Sequence, residues 1–577
     1  NSSEDRKTSH HTKQTDLIEQ DRAGQYNSNM YVEAKEKKDT ISFSLWDYGG
    51  QTVFYAMHHL FLTKLGMYVI VFNMREILEN EADAINYLRF WINSISLHAP
   101  EAPCIFVGTF LDQVADTNNI GRNQILRKIH IILSEKLLQG NKYKQVVEND
   151  KENLSFFAVN NYHGVGVPYV RNMIERETRK QPYVSRQVSL KWMGCLDELF
   201  ARVNQNNVSW LRLSVVADIA KSLGITSMAE VEEMLSMFHE LGVLVHLTTT
   251  QSLRQIVTMK PQWLIDGICR VIRDPDLHPI KDNEVENAGL TKDLSKMYES
   301  GLASWDLLEF LLVRNDRGEF RDQTHFLLDL MKHMILLSDW KFNKEKLYLI
   351  PSLLKDRPRN QLHGDLSENE NGRVYLQSAS ACIFDFSKKF LPVGIFQRVV
   401  CICVSFASTL HTRNDFEIVS GIESYEPILY NNWAKIWLGP EVAMCLQQEN
   451  ESEILLSCIY VAPGDANSSN NQQNYPVTCY NIVLSTLRKL NADLMGNGLE
   501  WEIFFETLNK HESSANIASS DRFPLEEAKN RQLLPWFVEI EEIDDEAANT
   551  GVNATGDNKI TDKHMSSLQI EEFLREI

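Results

Sequence analysis

The string Trp46-Asp47-Tyr48-Gly49-Gly50-Gln51 gathers residue types that together could handle a phosphate chain. A carboxylate leaving a buried strand, here Asp47, can hold Mg²⁺ through water. Gly50 has no Cβ, so its backbone N–H can come close to a γ-phosphate. Gln51 follows at once, where a side-chain amide can orient an attacking water. The bland alternative is a strand ending in a Gly-Gly turn beside an incidental acid. A second string, Phe106-Val-Gly-Thr-Phe-Leu-Asp112, sets Asp112 65 residues after Asp47. Taken alone, its Thr109-x-x-Asp112 reads more readily as the N-cap of a helix that follows a strand. A third, Phe157-Ala-Val-Asn-Asn161, closes a further apolar run with Asn160.

All three strings need elements that aim them at one place. Ile41-Ser-Phe43-Ser-Leu45 alternates apolar and small polar residues, which predicts a half-buried strand ending at Asp47. Tyr68–Phe72, Cys104–Val107 and Phe156–Val159 are short continuous apolar runs. Helical segments follow each of them, over Glu76–Leu97, Ile120–Leu138 and Val165–Glu177. Buried strands alternating with helices predict a parallel sheet covered on both faces. In such a sheet ligands sit outside the carboxyl ends of the strands, where each string falls.

Composition narrows the classes. The chain has 577 residues, 58 Lys+Arg against 78 Asp+Glu, and a formal charge of -20. That length allows about three to five domains. The acidity argues against a general nucleic-acid binder. No apolar run reaches the roughly 18 uncharged residues of a membrane span, so no transmembrane segment is expected. The 9 cysteines are odd in number and scattered through apolar runs, which suits a reduced, cytoplasmic setting. Residues 539–577 carry 11 acidic and 3 basic side chains, so much of the net charge belongs to an acidic tail.

With these strings in view, the chain resembles the Roc domain, the Ras-like GTPase module of the Roco family. That family's switch II motif reads Trp-Asp-Phe-Gly-Gly-Gln, with Tyr48 here in place of Phe. The continuation Phe54-Tyr-Ala-Met-His-His-Leu-Phe-Leu-Thr63 is similar to its switch II helix. The resemblance implies GTP/GDP and Mg²⁺ as ligands: Asp47 for the metal, Gly50 for the γ-phosphate and Gln51 for the hydrolytic water. It makes Thr109 and Asp112 the base-reading loop, Asp112 accepting hydrogen bonds from guanine N1–H and the exocyclic amine. Phe110 stands where that loop usually has Lys or His, a departure that costs polar contacts and leaves a ring able to lie on the base. Asn160 occupies the place of the Lys in the family's Ser-Ala-Lys loop. The phosphate loop Gly-x-x-x-x-Gly-Lys-Ser/Thr has no counterpart, since no Gly-Lys dipeptide occurs. The resemblance places it ahead of Asn1, so the chain reads as a piece of a longer protein with impaired nucleotide binding of its own.

The stretch from Trp192 to about Phe505 resembles the COR domain that follows Roc in this family. The matching passages include Val231-Glu-Glu-Met-Leu-Ser-Met-Phe-His-Glu-Leu-Gly-Val-Leu-Val-His246, Pro261-Gln-Trp-Leu-Ile-Asp266 and Phe390-Leu-Pro-Val-Gly-Ile-Phe-Gln-Arg398. The expected fold is an α/β P-loop GTPase-like domain, incomplete at its N-terminus, followed by an α+β COR domain. COR would have a helical, winged-helix-like first half and a β-rich second half. The expected segments are 1–180 (Roc), 181–187 (linker), 188–345 and 346–508 (the two halves of COR), and 509–577 (flexible acidic tail).

Ser214–Leu247 has helix–turn–helix spacing, but Val208–Leu247 carries five acids against Arg212 and Lys221, so a duplex-docking surface is not expected. Arg398–Phe406 reads as a strand with Cys401 and Cys403 on one face, in the core rather than in a metal site. His163-Gly164-Val-Gly166 and Asp385-Phe386-Ser387 imitate kinase motifs, but Tyr169 replaces the third Gly and no His-Arg-Asp loop precedes the second. The leading reading is a GTP-binding, GTP-hydrolysing signalling switch in which COR couples nucleotide state to homodimerisation. Two readings compete with it: a non-hydrolysing interaction scaffold, and the regulatory segment of a Roco serine/threonine kinase whose kinase domain lies outside the chain.

Overall fold

In a computed structural model of the chain, the three continuous apolar runs form a parallel sheet. Its strands are β1 (Tyr68–Asn73), β2 (Cys104–Thr109) and β3 (Phe157–Ala158), in that order. The structure describes residues 41, 43–48, 62–114, 119–139, 143–273, 280, 282–314, 320–342, 345–357, 375–378, 380–413, 425–439, 441–461, 475–495, 497–507 and 522–530. They fall into two compact units, 1–49 with 173–266 and 50–172 with 267–577, so each unit draws on both segments that the sequence suggests as domains.

The sheet belongs to the second unit. β2 is buried along its whole length, as a continuous apolar strand between two layers must be. β1 differs from expectation: β2 is its one partner among the described residues, and burial alternates along it, so Tyr68, Ile70 and Phe72 are buried on one face while Val69 and Val71 are exposed on the other. Helices α1 (Met74–Glu79) and α2 (Glu81–His98) follow β1. The short α3 (Leu111–Val114) and α4 (Asn119–Ile132) follow β2, the latter running on as a π-helical turn over Leu133–Leu138. α5 (Val167–Arg179) follows β3. The strand expected at Ile41–Leu45 does not appear among the described residues there: 41 and 43–48 belong to no strand, and Leu45 is 95% exposed. Alternation supplies an apolar face, but a strand also needs a neighbour to take its backbone hydrogen bonds.

The first unit has the anticipated winged-helix arrangement. α6 (Leu190–Asn206), α7 (Leu213–Ser222) and α8 (Met228–Glu240) pack around Leu199, Val216, Leu235 and Phe238. A small antiparallel sheet closes the module, in the order β4 (Trp210–Arg212), β6 (Ile256–Thr258), β5 (Val245–His246).

The remainder of the second unit begins with a three-stranded sheet of β7 (Leu302–Ser304), β8 (Ser338–Trp340) and β9 (Leu347–Leu349), with α9 (Trp305–Val313) and α10 (Thr324–His333). A large antiparallel sheet follows. It comprises β10 (Tyr375–Gln377), β11 (Ser380–Asp385), β12 (Ile428–Leu429), β13 (Trp433–Gly439), β14 (Val442–Glu449), β15 (Glu453–Val461), β16 (Glu502–Thr507) and β17 (Arg522–Pro524). Two helices pack with it, α11 (Ile395–Arg413) and α12 (Tyr475–Asp493).

α11 corrects the strand expected at Arg398–Phe406. A continuous apolar run does not distinguish a strand from a helix buried on most sides, and length decides between them. This run extends over 19 residues and is long and apolar enough to cross a membrane by length and composition. Its apolarity is met by packing against α12, β13 and β8, with Ile395, Val399, Cys403 and Ala407 fully buried. Burial pushes the Cys401 and Cys403 thiols up to about 12, which keeps them protonated. Among the described residues no cluster suited to a metal ion occurs.

Within the second unit, the end of α2 meets the loop after α12. A Cβ built on Gly498 would lie 2.2 Å from Leu97 Cδ1. One residue on, burial and then the positive charge of Arg398 lower His98 to about 4. Gly498→Ala is therefore expected to destabilise the protein by about 1–3 kcal/mol, the usual cost of overpacking. In a Leu97→Ala background the same change should cost much less. Thermal unfolding of the four proteins tests this; equal midpoints for parent and Gly498→Ala would contradict the contact. For His98 the folded pKa lies below the unfolded 6.5, so the unfolded chain binds the extra proton between the two values. Stability should fall as pH drops from 6.5 toward 4, by up to roughly 3 kcal/mol from this group. His98→Gln should flatten the stability–pH curve in that window, as denaturant midpoints would show.

Candidate functional site

The parallel register decides which side chains meet at the carboxyl edge of the sheet. Asn73 on β1 pairs with Thr109 on β2, and Val107 and Gly108 pair with Phe157 and Ala158 on β3. Continued one residue at a time, this register sets Thr109 level with Val159 and Phe110 level with Asn160. Two hydrogen bonds extend the ladder past the strands: Val159 N–H donates to Gly108 O at 2.8 Å, and Leu111 N–H to Val159 O at 3.2 Å. The two loops therefore leave the sheet side by side.

Thr109 is buried, and its Oγ1 donates to Phe72 O at 3.0 Å, tying β2 to the end of β1. Its hydroxyl braces the edge rather than pointing out of it. Phe110 has φ +62° and is 41% exposed. A bulky residue in left-handed backbone costs roughly 1–2 kcal/mol. The carbonyl of Phe110 then accepts from Gln113 N–H at 3.0 Å and Val114 N–H at 3.3 Å, so this turn opens α3. Asp112, in the first turn of α3, is exposed. Its carboxylate makes no ion pair or hydrogen bond among the described residues, which leaves its acceptors open to a ligand.

Asn160 is buried, and its Oδ1 accepts from His163 N–H at 3.1 Å in an Asx turn. Its own N–H donates to Val165 O at 2.9 Å, closing the loop. Gly166 ends that loop at φ +85°, where a Cβ would lie 2.5 Å from Ala158 O. The stretch that imitates a kinase glycine loop is thus the turn between β3 and α5. Tyr162, at its tip, is 88% exposed.

The structure brings Thr109, Phe110, Asp112 and Asn160 together at one edge. Asp47 lies in the other unit, exposed and outside any strand. Gly50 and Gln51 lie outside the described residues. The left-handed turn at Phe110 escaped sequence reasoning, because nothing in a Thr-Phe-Leu-Asp string signals positive φ. A separate cavity of about 460 Å³ in the second unit is lined by Trp305, Lys332, Asp339, Tyr348 and neighbours. Its rim is partly self-neutralised, as by Lys332 and Asp339 at 2.7 Å, and it contains none of these residues.

Comparison with known proteins adds an independent line. A family model described as "Ras of Complex, Roc, domain of DAPkinase" matches residues 4–112, and one described as "C-terminal of Roc, COR-A domain" matches 189–354. "Probable serine/threonine-protein kinase pats1" of Dictyostelium discoideum is 27% identical over 386 residues, covering 64% of this chain and 10% of that protein. "Leucine-rich repeat serine/threonine-protein kinase 1" of Mus musculus is 23% identical over 398 residues, 64% of this chain and 17% of that protein. The chain thus spans between a tenth and a fifth of the length of these two relatives. A solved structure of "methanosarcina barkeri Roco2 RocCORdC bound to GDP" aligns over 54% of this chain and 79% of that one, with 18% identity and a TM-score of 0.38. The two matches follow the order of the layout described above: the first takes in β1 and β2, and the second takes in the winged-helix-like module and the three-stranded sheet of β7, β8 and β9.

Proposed function

We propose that this chain, a Roc–COR tandem of the Roco family, binds guanine nucleotide at the carboxyl edge of the β1–β2–β3 sheet, weakly for want of the Gly-Lys phosphate-loop motif, and belongs to a signalling switch. The observation that carries this reading is the Thr109–Asp112 turn, where an exposed carboxylate with open acceptors stands at the end of a buried parallel strand. A carboxylate there can take both the N1–H and the exocyclic amine of guanine, whereas adenine presents an acceptor at its N1. Thr109 would hold the turn in place through Phe72 O, and Asn160 would shape the adjoining loop by spending its side chain on His163. By the sequence motif alone, Asp47, Gly50 and Gln51 are proposed as the metal, γ-phosphate and water-orienting residues. Mg²⁺ would supply neutralisation of the phosphate charge.

Hydrolysis, COR-mediated homodimerisation and a cytoplasmic setting belong to the same proposal. All nine cysteines are free thiols, and eight are buried, which supports a reducing compartment. Phe110 in place of a cation favours the second reading, a scaffold that holds nucleotide weakly and does not turn it over. The kinases among the relatives support the regulatory-segment reading, with catalysis by a domain outside this chain.

Titration of the protein with a fluorescent guanosine diphosphate in Mg²⁺ tests the main claim. Asp112→Ala removes two charge-assisted hydrogen bonds, each worth about 1.5–3 kcal/mol. It should weaken binding at least a hundredfold and erase the preference over the adenosine analogue. Equal affinity in parent and variant would remove Asp112 from the site, and no binding by the parent would remove the reading for this chain. Dimerisation is checked by sedimentation equilibrium across micromolar concentrations: a concentration-dependent monomer–dimer equilibrium is expected, and a strict monomer would refute it.

A further inference from the structure

The cavity of about 460 Å³ in the second unit is built from side chains that the nucleotide reading does not use. One wall is a single face of α10, on which His325, Leu328, Asp329 and Lys332 stand at i, i+3, i+4 and i+7. Another is the β7–β9–β8 sheet. Its register pairs Asp339 with Tyr348 and Ala303 with Tyr348. Continued to the next row on the same face, it sets Lys341 across from Lys346, and Lys346 level with Trp305. Lys346 Nζ accordingly lies 5.1 Å from the centre of the Trp305 ring, which stacks on His325 at 4.7 Å. Lys341 N–H donates to Ser408 Oγ at 3.1 Å, so this end of β8 is held on α11.

The charges at the cavity are answered unevenly. Lys332 is held by Asp339 at 2.7 Å, and Glu345 by Lys296 at 3.3 Å, from outside the lining. Lys341 and Lys346 make no ion pair or side-chain hydrogen bond among the described residues. Like charges directly across a strand pair are destabilising, and nothing in this row offsets them. In the next row Tyr348 is 2% exposed, yet its hydroxyl has no hydrogen-bond partner among the described residues. A buried donor left unmet is costly. Burial, the largest influence on this phenol, holds it above its ordinary value, so it stays a donor. The surplus at the cavity is therefore of donors and positive charge.

We propose that this cavity binds a small organic anion with a flat apolar body, at a site separate from the nucleotide edge. The anionic group sits between Lys341 and Lys346 and removes their repulsion. The body lies among Trp305, His325 and Leu328, in a volume suited to a small organic ligand. A cationic ligand fits less well, because Lys332 and Lys346 already lie over the faces of Tyr348 and Trp305.

The probe is 8-anilinonaphthalene-1-sulfonate, a flat aryl sulfonate that fluoresces on leaving water, with N-phenyl-1-naphthylamine as its neutral counterpart. The protein should bind the sulfonate saturably at one site per chain, more weakly as salt rises. Lys341→Gln and Lys346→Gln should each weaken the sulfonate about two- to fivefold and leave the neutral amine unchanged. Because each also relieves the like-charge pair, thermal midpoints should stay level or rise. Lys341→Glu sets opposite charges across the strands, so it should raise the midpoint and cut sulfonate affinity about tenfold. Guanosine diphosphate should not displace the probe. Stability and affinity moving in opposite directions at these lysines supports the anion site. Parental affinity in all three variants, no saturable binding by the parent, or displacement by guanosine diphosphate would overturn it. The guanine reading stands or falls separately, on Asp112.

Discussion

Two backbone hydrogen bonds, Val159 N–H to Gly108 O and Leu111 N–H to Val159 O, hold the candidate site together. They prolong the parallel ladder beyond β2 and β3 and so force two loops to leave the sheet at one level. Everything chemical at this edge depends on that alignment. The turn at Phe110 takes positive φ because its neighbour Leu111 is fixed to the other strand, and the Asn160 loop folds back on itself through His163 and Val165. In open α/β sheets ligands lie outside the carboxyl ends of strands for this reason: backbone order ends there while the geometry is still set by the ladder.

Continuous apolar runs made the parallel sheet legible. Tyr68–Phe72, Cys104–Val107 and Phe156–Val159 are too short for helices and lie between clear helical segments, and each appears as a strand or at the edge of one. The winged-helix spacing of Ser214–Leu247 was readable because Gly224 and a following amphipathic helix punctuate it. Ile41–Leu45 was not, since alternation describes a face and says nothing of whether a partner strand lies beside it. In the β-rich part the weak point was pairing. Val442–Glu449 is rich in Ala, Met, Leu, Gln and Glu, residues at home in helices, and becomes a strand because β13 and β15 flank it. The Val399–Val404 stretch has the opposite composition and becomes a helix, as part of the 19-residue α11 that packs beside the sheet.

At the site itself, residue types were legible and their duties were not. Thr109 and Asn160 look like ligand-facing polar groups in the sequence. In the structure both side chains bond to backbone, Thr109 to Phe72 O and Asn160 to His163 N–H, and so build the edge. Asp112 keeps its acceptors open, and Phe110 stays partly exposed in left-handed backbone. The division is between groups that shape the pocket and groups left over to meet a ligand, and hydrogen-bond partners decide it.

The most direct measurement of the central claim is amide hydrogen exchange with and without guanosine diphosphate and Mg²⁺, with adenosine diphosphate as comparison. If the carboxyl edge binds guanine nucleotide, peptides covering 108–114 and 157–166 should gain protection with the guanine ligand and not with the adenine one. Unchanged exchange in both peptides at saturating ligand, or protection confined to the cavity around Trp305 and Tyr348, would contradict the account.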